Sequence, residues 1–176
     1  MADPDAAGPP VRRTDVPPFD VVVLGPDDWP RLRMIRLEAL AESPTSFGST
    51  LAREERFEEA DWRDRLQGSF NCVAHVDGVD AALVGGFLPG EVPVDAELVS
   101  LWVRPEYRGH GYGGHLVETV LLWASTIGCE SVFAWATESN EAAIVIYENH
   151  GFVRTGDRQP LPSHPDLFEI GMRRIL

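Results

Sequence analysis

Seven residues carry the densest chemical signal in the chain: Arg108-Gly109-His110-Gly111-Tyr112-Gly113-Gly114, between an apolar run at 98–103 and an amphipathic stretch at 112–127. A glycine-rich turn that opens a helix leaves main-chain N–H groups unpaired beneath the positive end of the helix dipole. Glycine also lets a ligand come close to the main chain, so the segment reads as a receptor for a phosphate or pyrophosphate. Gly109, Gly111 and Gly114 satisfy the G-x-G-x-x-G dinucleotide pattern as well, which makes a nicotinamide-dependent oxidoreductase an alternative. Context argues against it, because in that fold the first glycine follows the first strand of a βαβ unit almost directly. Here residues 104–108 intervene and roughly a hundred residues of other structure come first. A plain turn without a ligand needs only one or two of these glycines, and the others cost backbone entropy.

Some thirty residues downstream stand Asn140, Ala143, Tyr147, Gly151 and Phe152, in the spacing N-x-x-A-x-x-x-Y-x-x-x-G-F. Together with R-x-x-G-x-G from Arg108 to Gly113, and with Leu101-Trp102-Val103 leading into it, this pattern resembles the GCN5-related N-acetyltransferase (GNAT) family. The resemblance covers about residues 96–157. It implies a mixed α/β fold: a mostly antiparallel twisted sheet flanked by helices, in the order β-α-α-β-β-β-α-β-α-β-β. It implies acetyl-coenzyme A as cosubstrate and transfer of its acetyl group to a primary amine, on a small molecule or a peptide, by direct attack in a ternary complex. Gly109, His110, Gly111, Tyr112, Gly113 and Gly114 then hold the pyrophosphate and Arg108 adds charge. The main chain of Leu101, Trp102 and Val103 binds the pantetheine arm and polarises the thioester carbonyl. Asn140, a favoured helix N-cap in any reading, gains a coenzyme contact. A sensor that binds the coenzyme without turnover is a second alternative.

For catalysis the resemblance points to Tyr147 as the acid that protonates the departing thiolate. The general base is less determined. Glu97 is the candidate, since strict alternation along its strand sets it on one face with Val99, Leu101 and Val103. Ser100, His75 and His110 are lesser candidates. Acceptor specificity is expected from the first half of the chain, around Glu38, Glu42 and Phe47, and from a loop at 157–164.

The bulk properties fit these assignments. The 176 residues suit one domain, with 44% hydrophobic and 24% charged residues. Residues 1–18, with five prolines and no apolar core, read as a disordered leader rather than a secretory signal, leaving 19–176 as the domain. The formal net charge of −13 argues against a nucleic-acid partner. No apolar run approaches the roughly eighteen residues of a membrane span. The five histidines show no ligand spacing, so no metal is expected. Cys72 and Cys129 read as reduced thiols of a cytoplasmic protein. All 15 basic side chains are arginine, which with abundant Ala, Gly and Pro suggests a bacterial source. A homodimer through the terminal strand or the charged second helix is a further expectation.

Strands are expected at 19–24, 70–76, 81–88, 94–103, 132–136, from 151 and at 167–173. Helices are expected from a cap at Asp27 or Asp28 to about 40, then at 53–66, 112–127 and 140–149.

Overall fold

The computed structural model describes residues 18–90 and 94–176. The expected leader, apart from Pro18, lies outside the described residues. Strands β2 (Phe70–Val76) and β3 (Val79–Phe87) are interior strands of the sheet. Val73 and Leu83 point into one core, while Cys72, Ala74, Ala82 and Val84 point into another. A strand covered on both faces reads as a near-continuous apolar run, as these do. Their link, Asp77-Gly78, has φ of 47° and 84°, the left-handed pair that a two-residue hairpin turn requires.

The remaining strands are β1 (Asp20–Val23), β4 (Asp95–Val103), β5 (Ser131–Thr137), β6 (Val153–Leu161) and β7 (His164–Ile175). The sheet order is β1-β2-β3-β4-β5-β7-β6, and only β4 and β5 run parallel. Helices α1 (Trp29–Glu42), α2 (Leu51–Glu54) and α3 (Glu59–Gly68) cover one face, around Leu32, Ile35, Leu40 and Trp62. Helices α4 (Tyr112–Thr126) and α5 (Glu141–Asn149) cover the other, around Leu116, Val117, Val120 and Ile144. This is the mostly antiparallel sheet with flanking helices that the resemblance implied. Among the described residues no helix is long and apolar enough to cross a membrane.

Three local expectations are corrected. The helix expected at 53–66 is two helices. The Glu58 main-chain N–H donates to the Asp61 carboxylate at 2.8 Å and starts a new one, while Glu54, ending the first, is buried against arginines. Asp28 does not cap α1 with its side chain. Its carboxylate instead accepts the Gly25 N–H at 2.9 Å across a single 3₁₀ turn, Pro26–Asp28. The loop expected at 157–164 is strand through the buried Leu161, so that only 162–163 form the turn into β7.

Candidate coenzyme groove and acceptor face

The two parallel strands separate partway along. β4 and β5 pair from Asp95–Ser131 to Leu98–Ala134 and no further, although β4 continues to Val103 and β5 to Thr137. On its other edge β4 stays paired with β3, with Leu83 opposite Trp102 and Ala82 opposite Val103. The Arg104 N–H bonds the Ala81 carbonyl on β3 at 2.9 Å. Main-chain direction alternates along a strand, so Leu101 and Val103 turn their N–H and C=O groups to the open side.

That side is a groove of about 1110 Å³ between the ends of β4, α4 and α5. Leu101, Trp102, Val103, Arg108, Gly109, His110, Gly111, Tyr112, Gly113, Gly114 and Asn140 all line it, so the structure gathers every residue expected to contact the coenzyme. The glycines have distinct reasons to be there. Gly109 (φ 79°) and Gly111 (φ 88°, the N-cap of α4) adopt left-handed backbone that disfavours a side chain. A Cβ on Gly114 would lie 3.0 Å from the His150 ring. The first turn of α4 therefore comes close against α5 with its N–H groups facing the groove, the geometry that suits an anion. Asn140 accepts the Ala143 N–H at 3.1 Å, which caps α5 as expected, and its amide reaches the Ser46 hydroxyl at 3.4 Å.

Arg108 is occupied within the protein. Its Nε donates to the Val103 carbonyl at 3.0 Å and its Nη2 to Glu42 at 2.7 Å. The Glu42 carboxylate also accepts the Trp102 indole N–H at 2.9 Å and the Ser43 hydroxyl. Burial pushes the Glu42 carboxyl up, but these three donors outweigh it and bring the pKa down to about 2. Sequence reasoning missed several groove residues, among them His150 and Glu118. His150 Nδ1 lies 2.6 Å from the Ile146 carbonyl, which assigns its proton to Nδ1 and turns Nε2 toward Glu118. The available signal was helical spacing, since Ala142, Ala143, Ile146, Asn149 and His150 share one face of α5.

Neither proposed catalytic residue lines the groove. Tyr147 is buried beside Ile144 in the core under α5, its ring 5.3 Å from that of Phe152. Burial pushes its phenol well above the ordinary tyrosine value, so its oxygen keeps its proton. Glu97 departs from the strict alternation expected of it. Against β3, the step from Val99 to Trp102 matches only Gly85 to Leu83, and Ser100 has a φ of 61°. This bulge inserts one residue and flips the faces beyond it. Ala96, Leu98, Leu101 and Val103 consequently face the α4 core, whereas Glu97 and Val99 share the opposite face with Trp102. Burial and Glu169 both raise the Glu97 carboxyl. Glu169 was not foreseen. It is 7% exposed on β7 opposite Thr137, its carboxyl is raised by burial, and it accepts the Gln159 amide at 2.8 Å. A strand of mixed exposure gave no period by which to single it out.

A half-parted parallel pair whose open edge meets a glycine cradle at a helix N-terminus defines a coenzyme-binding α/β class. Residues 34–152 match the family model of the acetyltransferase (GNAT) family, and the chain belongs to that family. It is similar to the mycothiol acetyltransferase of Geodermatophilus obscurus, 31% identical over 142 residues, or 74% of this chain and 42% of that one. It is also similar to the mycothiol acetyltransferase of Corynebacterium aurimucosum, 28% identical over 120 residues, or 65% and 40% of the two chains. The chain thus spans about two fifths of these curated relatives. In fold it resembles a protein of Salmonella typhimurium solved with its cofactor acetyl-CoA, with a TM-score of 0.73 over 91% of this chain and 95% of that one at 17% identity.

Proposed function

We propose that this chain is an N-acetyltransferase that moves the acetyl group of acetyl-coenzyme A to a primary amine, carried by a small molecule or a peptide, in a ternary complex. One observation carries the reading: the unpaired edge of β4 at Leu101–Val103 continues directly into the glycine cradle of α4. A ligand with an amide-bearing arm and a pyrophosphate matches both parts at once. The crowded Gly113 and Gly114 positions favour main-chain rather than side-chain contact with it. Bound there, the coenzyme supplies an activated acyl thioester.

The residues of this chain do the rest. The Tyr112–Gly114 N–H groups hold phosphate oxygens at the positive end of α4. The outward N–H groups of Leu101 and Val103 stabilise negative charge developing on the acyl oxygen, an interaction that strengthens in the transition state. Tyr147 donates its proton to the sulfur that departs. Its raised pKa alone makes it a weak acid, but a thiolate in the same apolar surroundings is raised too, and only the difference governs the transfer. An alkyl ammonium must lose a proton before it attacks. Glu97 is our candidate to accept it, because a carboxyl raised by burial and by Glu169 is a stronger base than an exposed one.

The test is release of free thiol from acetyl-coenzyme A against polyamines, aminoglycosides, amino acids and short peptides with free N-termini. Amine-dependent release is the expected result and identifies the acceptor class. Failure of the protein to bind acetyl-coenzyme A would overturn the reading, and tight binding with no turnover on any amine would favour a sensor.

A further inference from the structure

Among the described residues only Asp77 and Ser100 hold a positive φ without being glycine. Asp77 forms a hairpin turn, where such backbone is ordinary. Ser100 lies inside β4, where the turn geometry that favours it is absent, so something must hold it. Its hydroxyl accepts from Arg36 Nη1 at 3.3 Å and from Arg65 Nη2 at 3.4 Å. Both arginines also donate to Glu54, Arg36 through Nε and Nη2 at 3.0 and 2.8 Å and Arg65 through Nη1 at 3.2 Å. Arg36 comes from α1, Glu54 from α2 and Arg65 from α3, so three helices converge on one strand residue. The break between α2 and α3, which the sequence does not announce, is what lets Glu54 and Arg65 meet there.

Stability alone does not account for this cluster. Arg36 and Glu54 are 4% and 2% exposed and already make a two-pronged pair. Buried ions are often replaceable by apolar residues without loss. Arg65 adds a second cation to a carboxylate that Arg36 satisfies, and burial with Arg36 close by pulls the Arg65 pKa down. What Arg65 contributes beyond charge is its reach to Ser100.

We propose that Arg65 is a positioning residue for acetyl transfer: sharing Glu54 with Arg36, it pins Ser100, and so fixes the bulge that turns the Leu101–Val103 main chain toward the groove. This rests on the acetyltransferase reading above. Arg65 touches neither the coenzyme groove nor Tyr147, and it acts only through the β4 backbone.

The experiment compares wild type with Arg65→Ala, Arg65→Lys and Arg63→Ala. Arg63 lies on the same helix but makes exposed pairs with Asp27 and Glu59. For each protein, kcat and KM for acetyl-coenzyme A are measured alongside hydrogen exchange of peptides spanning 97–103. Arg65→Ala is expected to lower kcat about 10- to 100-fold, as mispositioning does, with KM for acetyl-coenzyme A changed less than about threefold. Exchange at 99–103 should quicken, Arg65→Lys should recover part of both effects, and Arg63→Ala should match wild type. Wild-type kcat and exchange in Arg65→Ala would overturn the proposal, as would an equal loss in Arg63→Ala. The exchange measurement needs no acceptor, so it decides the point even if no amine is turned over. Failure of the functional reading would show differently, as wild type that does not bind acetyl-coenzyme A.

Discussion

On its α4 side, β4 offers a ligand mainly main chain: an unpaired edge at Leu101–Val103 and the N–H groups of Tyr112–Gly114. On its α1–α3 side it offers side chains: Glu97, Val99 and Ser100, with Arg36, Glu54 and Arg65 packed behind the serine. The first side is made of geometry that only certain residue types permit, chiefly glycine at fixed intervals. The second can be assembled from many combinations of residues brought together by the fold. A site of the first kind therefore announces what it binds, while one of the second kind can specialise without leaving a pattern.

The comparison is broken most forcefully at Tyr147, which under the proposed mechanism would serve the main-chain side yet act through its own hydroxyl. Tyr147→Phe keeps the ring against Phe152 and removes one oxygen. We expect kcat to fall about 10²- to 10⁴-fold, the range of a general acid, with coenzyme affinity unchanged. Steady-state thiol release together with calorimetric binding reads both quantities. An unchanged kcat would reduce Tyr147 to core packing.

The side-chain half is probed for stability at Arg36. Arg36→Ala leaves the Glu54 carboxylate buried, with Arg65 as its remaining cation. Removing one partner of a buried pair costs about 3–5 kcal/mol, which a shift in the urea midpoint at constant slope would show. A loss below about 1 kcal/mol would mean that the cluster is as weakly coupled as a surface pair.

On the main-chain half the corresponding strain sits at Gly111. Gly111→Ala places a Cβ on a residue with φ of 88°, at an expected cost of about 1–2 kcal/mol. It also turns the first N–H groups of α4 away from their common target, so coenzyme affinity should fall by about tenfold, an effect of similar energy. Gly48→Ala is the contrast on the acceptor side. Its Cβ would meet the Pro162 ring at an ordinary 3.6 Å, and coenzyme binding should not change. Equal effects on binding from the two would erase the distinction between the halves.

The same distinction explains what could be read from the sequence. The glycines and Asn140 were recognisable because cap chemistry and left-handed backbone restrict residue choice, the 101–103 strand because the family resemblance pointed to it, and the groove gathers all of them. Element order followed from hydrophobic period and turn residues such as Asp77-Gly78. What escaped depended on one extra residue or one buried partner. The bulge at Ser100 has no marker, since serine there is not the glycine that a positive φ would suggest, and missing it put Glu97 on the wrong face. The break at 55–58 escaped because its residues suit a helix, and only the capture of Glu54 by two arginines shows why the helix stops. Glu169 became visible only when β7 was laid beside β5.

The smallest expected effect concerns Arg108, the one charged side chain that the sequence assigned to the coenzyme. Its pair with Glu42 lies at the surface, with side-chain exposures of 48% and 33%. Arg108→Ala should lower stability by less than about 1 kcal/mol, because solvent screens such pairs. The sign with pH follows from Glu42, whose folded pKa of about 2 lies below the ordinary glutamate value of about 4.3. A depressed carboxyl stabilises the fold above its unfolded pKa and loses that contribution as pH falls through the folded value. The gap between wild type and Arg108→Ala should therefore be full at pH 6, narrow as pH falls below about 4.3 and close only below about pH 2. It should also shrink with added salt. A gap that persists well below about pH 2 would place the contribution of Arg108 in its bond to the Val103 carbonyl instead. A gap that closes would place that contribution in the ion pair with Glu42, the pair that Arg108 would have to leave to meet a phosphate as the proposed function has it.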